Sequence, residues 1–440
     1  MTIPLAFGDS TLDLTLDHRF APTVILPHDP PALTDARADF LTAVRKPHGK
    51  TAPLADLVKH FTQKHGRAPA SVAIAIADHT RAVPDHLLVP WIVDELGIPD
   101  AAVTILIGTG THRGSTRAEL ERKLTPAVLA RIAVHNHDCK DPGLVLMGTS
   151  TCGGEVWLNE RWVAADIKIG TGFIEPHFFA GFSGGTKAIV PGIAGLRTIQ
   201  HFHRAALIAH PGTTWGDLAK NPLQHLTRQM TALCPPDFIV NVTLDRAKAI
   251  TGIFAGEALA AHDAGATRAL AEAMTPVPRT YPVVITTNSG HPLDQNFYQT
   301  VKGISAAARI VSPGGTIVVV SECRAGLPEE GEFAHLLADP RSSADLLADI
   351  LKREATMHDQ WQVQTLLQCL GKARVILHSR LSPADRARTR TEHTDDLAGT
   401  LAELARAHGQ SVLPVAVLPL GPLTIPTLVS PEALTQKAAR

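Results

Sequence analysis

The densest group of residues able to do chemistry spans residues 175–192 and reads EPHFFAGFSGGTKAIVPG. Within it, residues 183–186, Ser-Gly-Gly-Thr, have a backbone without bulky side chains, so their N–H groups could approach a phosphate. Lys187 follows as a candidate cation or nucleophile. This is not a Walker A loop, since that pattern needs Gly-Lys-Ser/Thr, whereas Lys187 lies between Thr186 and Ala188. The simpler interpretation is a helix-entry turn with a solvated lysine.

Three histidines accompany that loop. His177 lies inside the segment, and His201 and His203 follow in the helical stretch TIQHFH. Residues two apart on a helix point in different directions, so at most one of the latter pair should face a site built around Lys187. Two-histidine metal sites usually space their ligands four apart, which makes this pair weak support for one. Taken singly, each could equally be a surface or core histidine.

Two further polar clusters end predicted buried strands. The apolar run 72–77 leads into Asp78-His79-Thr80-Arg81, where Arg81 could bind a carboxylate or phosphate bidentately or simply pair with Asp78. The run 101–107 leads into GTGTHR, which does not complete the Rossmann pattern GxGxxG because its last residue is arginine. His112 in that loop is placed for acid–base work or for an ordinary turn.

The second half of the chain adds two smaller clusters. Tyr298, Gln299 and Lys302 lie three to four residues apart on one predicted helix face, as a carboxylate clamp or a solvated surface would. Trp361, in DQWQ, is either a stacking platform or an anchor at a domain interface. His135 and His137 are expected in an exposed strand and turn and receive no role.

The elements that must position these clusters alternate between strands and helices. We therefore predict an α/β fold of two α/β domains with mostly parallel sheets and a cleft between them. Ligands of open α/β sheets bind beyond the C-terminal ends of strands, where the polar clusters lie. The predicted strands are 72–77, 101–107, 165–169 leading to a loop at 170–172, 238–244, 282–286, 315–321, 373–378 and 415–420, and the predicted helices are 84–96, 255–274, 300–310, 342–353 and 383–407. The expected domains are 1–275 and 280–412, with 413–440 as a C-terminal return segment.

Composition excludes several classes of protein. The 440 residues carry 41 Lys+Arg against 42 Asp+Glu, so no basic surface for nucleic acid or anionic membranes is expected. The N-terminus has no secretory signal, and no apolar stretch approaches the ~18 residues of a membrane helix. The five cysteines form no CxxC pair, which predicts neither a disulfide framework nor structural zinc. We expect a cytoplasmic protein, and its 22 histidines direct attention to metal or proton chemistry.

Taken together and in this order, the clusters resemble the nickel-pincer lactate racemase family of 2-hydroxy-acid racemases and epimerases. The resemblance runs from about residue 78 to 361 and is carried by DHTR, GTGTH, PHFFAGFSGGTKAIVPG, TIQHFH, YQTVK and DQWQ. Its most specific part is SGGTK, followed sixteen residues later by His203. The resemblance implies an isomerase that uses nickel pyridinium-3,5-bisthiocarboxylate mononucleotide, the nickel-pincer nucleotide.

The resemblance also implies roles for individual residues. Lys187 would hold the cofactor covalently through a thioamide, and so bring in the nickel that His203 ligates. His112 and His177 would be the two acid–base residues. Substrate would be bound by Arg81, Gln299 and Lys302, with Tyr298 shaping the pocket. The remaining cofactor-binding positions would be Asp78, His79, Thr80, Arg81 and Trp361, while His201 is a bystander.

The chemistry explains why such parts are needed. Removing a proton from C2 of a 2-hydroxy acid would build a carbanion beside a carboxylate, whereas removing hydride gives a neutral 2-keto group, with the cofactor as acceptor. One base must take the hydroxyl proton for each enantiomer, and two histidines suit that task. Domain closure would exclude water from the hydride.

Two other functions stay open on the residues alone, a nucleotide-phosphate-binding enzyme and a zinc hydrolase. The expected partners are a small 2-hydroxy acid and the cofactor's maturation enzymes, without nucleic acid or membrane, and the chain is compatible with a homo-oligomer. Lactate is the family's namesake, and relatives act on malate or sugar acids. A second carboxylate would need another cation, for which Arg113, Arg197 and Arg204 are the candidates flanking the motifs.

Overall fold

A computed structural model describes residues 1–329, 331–409 and 412–430. Its contacts divide the chain into two compact units. The central unit comprises residues 29–203 and 210–271, and the terminal unit comprises residues 1–28, 204–209 and the chain from 272 onward. The division predicted from sequence differs from this one, because it placed residues 1–28 with the N-terminal domain.

The central unit is built around one six-stranded sheet with helices packed against it. Its strands are β4 (Val72–Ala77), β5 (Val103–Gly108), β6 (Ala133–Asn136), β7 (Val145–Thr149), β8 (Glu155–Leu158), β9 (Ile167–Phe173), β10 (Pro176–His177), β11 (Gly181–Phe182), β12 (Phe238–Leu244) and β13 (Ile250–Gly256). Its helices are α1 (Ala36–Arg45), α2 (Leu57–His65), α3 (Asp85–Leu96), α4 (Arg117–Arg131), α5 (Glu160–Ala164), α6 (Leu196–Phe202), α8 (Pro222–Thr231) and α9 (Ala258–Ala273).

The sheet order explains where a ligand could bind. The strands run β13-β12-β9-β4-β5-β6, with β13 antiparallel to β12 and the other neighbours parallel. The chain moves outward from β4 to β5 and β6, then returns to the other side of β4 as β9. This reversal is a topological switch point, and ligands of open α/β sheets bind in the crevice at such a point. The segments 78–81 and 174–187 follow the C-terminal ends of these two strands.

The terminal unit has a second six-stranded sheet, which is parallel throughout. Its order is β18-β17-β16-β15-β19-β3, so its switch point lies between β15 and β19. Strands β1 and β2 form a hairpin, and β14 pairs with β20. The elements of this unit are β1 (Thr2–Phe7), β2 (Ser10–Thr15), β3 (Phe20–Val24), α7 (Ala205–Ile208), β14 (Met274–Val277), β15 (Tyr281–Thr287), α10 (Phe297–Ala308), β16 (Val311–Val320), α11 (Phe333–Leu337), α12 (Ser343–Lys352), α13 (Gln360–Lys372), β17 (Arg374–His378), α14 (Pro383–Arg386), β18 (Glu392–His393), α15 (Leu397–His408), β19 (Leu413–Leu418) and β20 (Ile425–Leu428).

The mostly parallel α/β class predicted from the sequence is confirmed, and the predicted strands correspond to real ones. The sequence VAIAIA of β4 is buried except at its last residue, as expected of a parallel strand covered on both faces. The strand predicted at 415–420 is β19, which belongs to the terminal unit; residues 431–440 of the predicted return segment lie outside the described chain.

Three predicted elements were wrong in detail. Residues 170–172 are not a loop but part of β9, where Gly172 pairs with Asn241. The predicted helix 383–407 is α14, β18 and α15 in succession. Helix α9 begins at Ala258 rather than Ala255, because Ile250–Gly256 forms a strand against β12.

Within residues 1–329, 331–409 and 412–430, no helix has the length and hydrophobicity required to cross a bilayer.

Candidate active site

The turn after β4 is organised by Asp78. One of its carboxylate oxygens accepts hydrogen bonds from the backbone N–H of Thr80, at 3.1 Å, and from the Thr80 hydroxyl, at 2.6 Å. The other oxygen lies 2.7 Å from Nδ1 of His112, which the turn after β5 supplies. Because Nδ1–H donates to the carboxylate, we infer that neutral His112 carries its lone pair on Nε2.

The charge on Asp78 is strongly stabilised. Burial by itself would raise the pKa of this carboxyl. The hydrogen bond and charge of His112, the charge of Arg81 and the Thr80 hydroxyl outweigh burial and hold the pKa well below its usual range. Asp78 is therefore a carboxylate that orients His112 at any physiological pH.

A buried ion pair supports the same turn from beneath. Nζ of Lys123 lies 2.9 Å from a carboxylate oxygen of Asp85, and both side chains are almost fully buried. The other Asp85 oxygen accepts from the Thr171 hydroxyl at 2.7 Å, and Lys123 also donates to the Arg81 carbonyl at 3.3 Å. This network joins α4, α3 and β9 under Arg81, and none of its three side chains was predicted to support the site. Its signal in the sequence was Asp85, a charged residue that opens a helix whose middle, residues 87–93, is apolar.

His79, predicted to bind cofactor, has two polar partners in the segment that follows His112. Its Nδ1 lies 3.1 Å from the Ser115 hydroxyl and its Nε2 lies 3.4 Å from Glu119. Burial lowers the pKa of His79, while the charges of Asp78 and Glu119 oppose that shift.

The second group of predicted residues surrounds one aromatic ring, that of Phe179. The Phe179 ring centroid lies 4.6 Å from the His177 ring, 5.4 Å from the His203 ring and 6.0 Å from Nζ of Lys187. The structure thus brings together three predicted site residues from three separate positions in the sequence. Phe179 itself was not singled out, although its place between His177 and the glycines of PHFFAGFSGG was visible.

The three histidines of this region have different hydrogen-bond partners. Nδ1 of His177 accepts from the backbone N–H groups of Phe179, at 3.4 Å, and Ala180, at 3.2 Å, so we infer that neutral His177 carries its hydrogen on Nε2. Nδ1 of His203 lies 2.8 Å from the Ile199 carbonyl, which places the hydrogen on Nδ1 and the lone pair on Nε2. The His201 ring instead packs on Gly154, where an added Cβ would lie 2.1 Å from it. His201 and His203 therefore have different surroundings, as their spacing predicted.

The two groups are joined through backbone. Gly110, in the turn that carries His112, donates its N–H to the Gly192 carbonyl at 2.9 Å, and Gly192 donates to the Lys187 carbonyl at 3.1 Å. Gly110 has a φ of 59°, a left-handed conformation that favours glycine. The turns after β5, β4 and β9, which are neighbouring strands, thus form one edge of the sheet.

In the terminal unit, the predicted substrate residues open helix α10, which follows the switch-point strand β15. Asn296 caps this helix by accepting from the Gln299 N–H at 3.0 Å. The Tyr298 hydroxyl accepts a hydrogen bond from Nε1 of Trp361 at 3.1 Å, so these two residues are in contact. Gln299 is buried and Lys302 is half-buried.

Predictions for His137, Arg113 and Arg197, which lie outside these groups, can also be compared with the structure. His137 is not exposed but buried, with Nε2 lying 2.9 Å from the Ala194 carbonyl, because it fixes the loop before α6. Arg113 forms two hydrogen bonds to Glu119, and the largely exposed Arg197 lies 3.7 Å from Glu155.

The donor chemistry of this site fits the implied cofactor. Within the described ranges, no group of three or more His, Cys, Asp or Glu side chains is placed to hold a metal ion. His203 does offer one buried imidazole whose Nδ1–H is fixed by a backbone carbonyl, the arrangement usual for histidine ligands that bind through Nε2. This single fixed imidazole matches the one metal ligand that the resemblance implies the protein would supply.

Comparisons with known proteins agree over most of the chain. Residues 7–216 match the model of the lactate racemase N-terminal domain, and residues 278–421 match that of the lactate racemase C-terminal domain. The lactate racemase of Lactiplantibacillus plantarum is 37% identical over 364 residues, which cover 81% of this chain and 84% of that protein. The lactate racemase of Thermoanaerobacterium thermosaccharolyticum is 36% identical over 312 residues, covering 70% of this chain and 73% of that one.

Solved structures give the same picture. The lactate racemase apoprotein of T. thermosaccharolyticum aligns with a TM-score of 0.86 at 31% identity, over 97% of this chain and all of that one. A Thermotoga maritima protein aligns with a TM-score of 0.66 at 16% identity, over 87% of this chain, a likeness of fold alone.

Proposed function

The chain belongs to the lactate racemase family, and from this premise we propose that it is an isomerase that interconverts the two enantiomers of lactate. The observation that carries the proposal is the arrangement of His177, Lys187 and His203 around the Phe179 ring. Cofactor attachment, metal ligation and acid–base work need these three residue types close together. The alternatives left open by the residues, a zinc hydrolase and a nucleotide-phosphate-binding enzyme, receive no support from the two matching family domains.

The cofactor would be the nickel-pincer nucleotide, held by Lys187 and by His203 through the metal. When bound, it would supply the acceptor for hydride leaving C2 of the substrate. Asp78, His79, Thr80 and Arg81 would contact its nucleotide portion, and Trp361 would pack beside it.

His112 is suited to act as the base for one enantiomer. Its Nε2 lone pair would accept the hydroxyl proton as C2 loses hydride. The imidazolium so formed would keep its Nδ1–H bond to Asp78, whose stable negative charge offsets the new positive charge. Asp78 thus holds both the orientation and the tautomer of His112.

His177 would serve the opposite face. To return a proton to the keto oxygen it must first be an imidazolium, and it then becomes neutral with a lone pair ready for the other enantiomer. The two histidines would exchange these roles when the direction of the reaction reverses. Arg81, Gln299 and Lys302 would hold the substrate carboxylate while the keto group turns over, with Tyr298 shaping the pocket.

Monocarboxylic substrates are favoured over dicarboxylic ones. Two of the three arginines that flank the motifs are engaged with glutamates, Arg113 with Glu119 and Arg197 with Glu155. Neither is therefore an obvious partner for the second carboxylate of a substrate such as malate. This supports lactate, the substrate in the names of both relatives.

Chiral chromatography of reaction mixtures tests the proposal. The protein should be produced together with the cofactor's maturation enzymes and incubated with L-lactate, D-lactate or L-malate. We expect either lactate enantiomer to approach an equal mixture, with malate converted far more slowly. Protein produced without the maturation enzymes is the control and should leave each enantiomer unchanged. Loaded protein that racemises malate but not lactate would contradict the substrate assignment.

A further inference from the structure

The loop that presents Lys187 rests on two buried polar side chains that the reaction itself does not use. We propose that His262 and Asn241 are positioning residues that hold residues 183–187 in the conformation needed to attach the cofactor to Lys187. The inference rests on the proposed function. Attachment would join Nζ of Lys187 to a thiocarboxyl carbon and release one water, with no oxidation or reduction. The amine must therefore be held at that carbon until the bond forms.

The loop has a backbone that needs support. Gly184 and Gly185 have φ values of 76° and 57°, both in the left-handed region that side chains rarely adopt. Two successive residues of this kind cost conformational entropy on ordering, because glycine is the most flexible residue in the unfolded chain. Contacts from outside the loop must compensate for that cost.

Asn241 supplies the first of these contacts from strand β12. It is fully buried, and its side-chain oxygen accepts a hydrogen bond from the Gly185 N–H at 2.6 Å. The same oxygen would lie 2.7 Å from a Cβ at Gly184. Asn241 therefore both bonds the loop and requires glycine in it.

His262 supplies the second contact from helix α9. Its Nε2 lies 2.9 Å from the Ser183 carbonyl, and its Nδ1 lies 3.4 Å from the Arg228 guanidinium, which pairs with Asp263. Because Arg228 can only donate, the ring must accept at Nδ1 and donate to Ser183 from Nε2–H. A Cβ at Gly185 would lie 2.6 Å from this ring.

The charge state of His262 agrees with this arrangement. Burial, the largest effect, lowers its pKa to about 4, and the nearby charges of Arg228 and Lys187 act in the same direction against the Ser183 hydrogen bond. The ring is therefore neutral near pH 7. His262 is 1% exposed and Asn241 is fully buried, so both act through the loop rather than by touching the cofactor.

Intact-mass spectrometry during cofactor loading tests the proposal. His262→Leu removes the donor to Ser183, whereas His262→Gln loses the ring but keeps an amide N–H at a comparable reach. We expect His262→Leu and Asn241→Leu to accumulate the Lys187 adduct about tenfold more slowly than the unmodified chain, the effect of losing one buried hydrogen bond. His262→Gln should recover most of the rate. His225→Leu, on the exposed side of α8, is the control and should load normally.

Hydrogen exchange of the unloaded protein provides a test that does not depend on the cofactor. Peptides covering residues 183–190 should exchange faster in His262→Leu and Asn241→Leu than in His262→Gln, while peptides from β4 stay protected. Equal loading and equal exchange in the Leu and Gln variants would overturn the proposal.

If the unmodified chain gains no mass on Lys187, the proposed function fails, but the exchange experiment still decides whether these residues hold the loop. If a Leu variant does not fold, His262→Gln can still be compared with the unmodified chain. The loop of His262→Gln should exchange at a nearly native rate.

Discussion

The two candidate acid–base histidines have opposite surroundings. His112 donates from Nδ1 to a buried carboxylate, that of Asp78, within a region of charged and hydroxyl side chains. His177 accepts at Nδ1 from two backbone N–H groups and stacks against Phe178, within a region of aromatic rings. We call these the carboxylate side and the aromatic side of the site.

The difference concerns what happens when each ring gains a proton. His112 can become an imidazolium without moving, because Asp78 accepts from Nδ1–H in both charge states. A second hydrogen on the His177 ring would lie on Nδ1 and point at the N–H groups of Phe179 and Ala180, so the ring or the turn at 177–180 must move when His177 is protonated. The carboxylate side is thus already arranged for proton transfer, whereas the aromatic side has to rearrange.

The largest expected effect is the loss of covalent cofactor attachment, which can be distinguished from the loss of acid–base catalysis. Lys187→Ala should abolish both activity and covalent loading, because the proposal assigns the amine of the thioamide to Lys187. His112→Ala is the matched control from the carboxylate side and should still carry the adduct while losing activity. Intact-mass measurement decides, and an adduct that survives in Lys187→Ala would refute the assignment.

Metal retention distinguishes His203 from His201 as the nickel ligand. His203→Ala should lose nickel while the organic cofactor can remain attached, and His201→Ala should have a mild effect, since its ring packs on Gly154 instead. Metal analysis together with mass spectrometry distinguishes these outcomes. Loss of nickel in the His201 variant and retention in the His203 variant would show that the assignment of the nickel ligand to His203 is wrong.

Variants of the two candidate acid–base residues should lose their reaction with opposite enantiomers. Replacing either His112 or His177 by Ala should lower turnover by on the order of 10²–10⁴, and in both directions, because the equilibrium constant between enantiomers is fixed near one. In single-turnover experiments with loaded protein, one variant should still react with one enantiomer but not the other, and the second variant should show the reverse preference. Normal reaction of both variants with both enantiomers would exclude these histidines as bases.

The smallest expected effect is a difference in the response of stability to acid. The pKa of His262, about 4 in the folded chain against an ordinary 6.5, means that the unfolded chain gains a proton first as pH falls. This difference contributes about 3 kcal/mol to the free energy of unfolding at pH values above 6.5. The contribution is lost as the pH falls from 6.5 to about 4. Asp78, whose pKa is lowered, contributes stability that is lost only at more acidic pH.

Urea unfolding at pH 7 and pH 4.5 measures this effect. The free energy of unfolding should fall less between the two pH values in His262→Gln than in the unmodified chain. An equal fall in both proteins would show that His262 does not titrate as its surroundings imply.

The sequence predicted the polar clusters at strand ends well, because continuous apolar runs such as that of β4 end sharply at charged residues. It failed where glycine had a packing role rather than a turn role. Gly172 lies inside β9, and this position suits glycine because a Cβ there would come within 3.0 Å of Gly184 Cα, a contact no local pattern reveals. The helix predicted over 383–407 was interrupted for a different reason, since Asp396 caps a new helix by accepting from the Gly399 N–H.

The supporting residues could not have been found from the sequence alone. Asn241 in an apolar strand and His262 in an alanine-rich helix look like isolated polar residues of a core. Their significance depends on the loop brought against them from more than fifty residues away. The tautomers of His112 and His177 likewise depend on partners that only the fold supplies.

The pairing of β3 with β19 has a consequence for synthesis of the protein. Residue 20 lies opposite residue 413, so the sheet of the terminal unit cannot be completed until nearly the whole described chain has left the ribosome. The strands of the central sheet, residues 72–256, are available much earlier. We therefore expect the half of the enzyme that bears Lys187 to fold first during translation, while the hairpin β1–β2 and β3 wait for a distant partner.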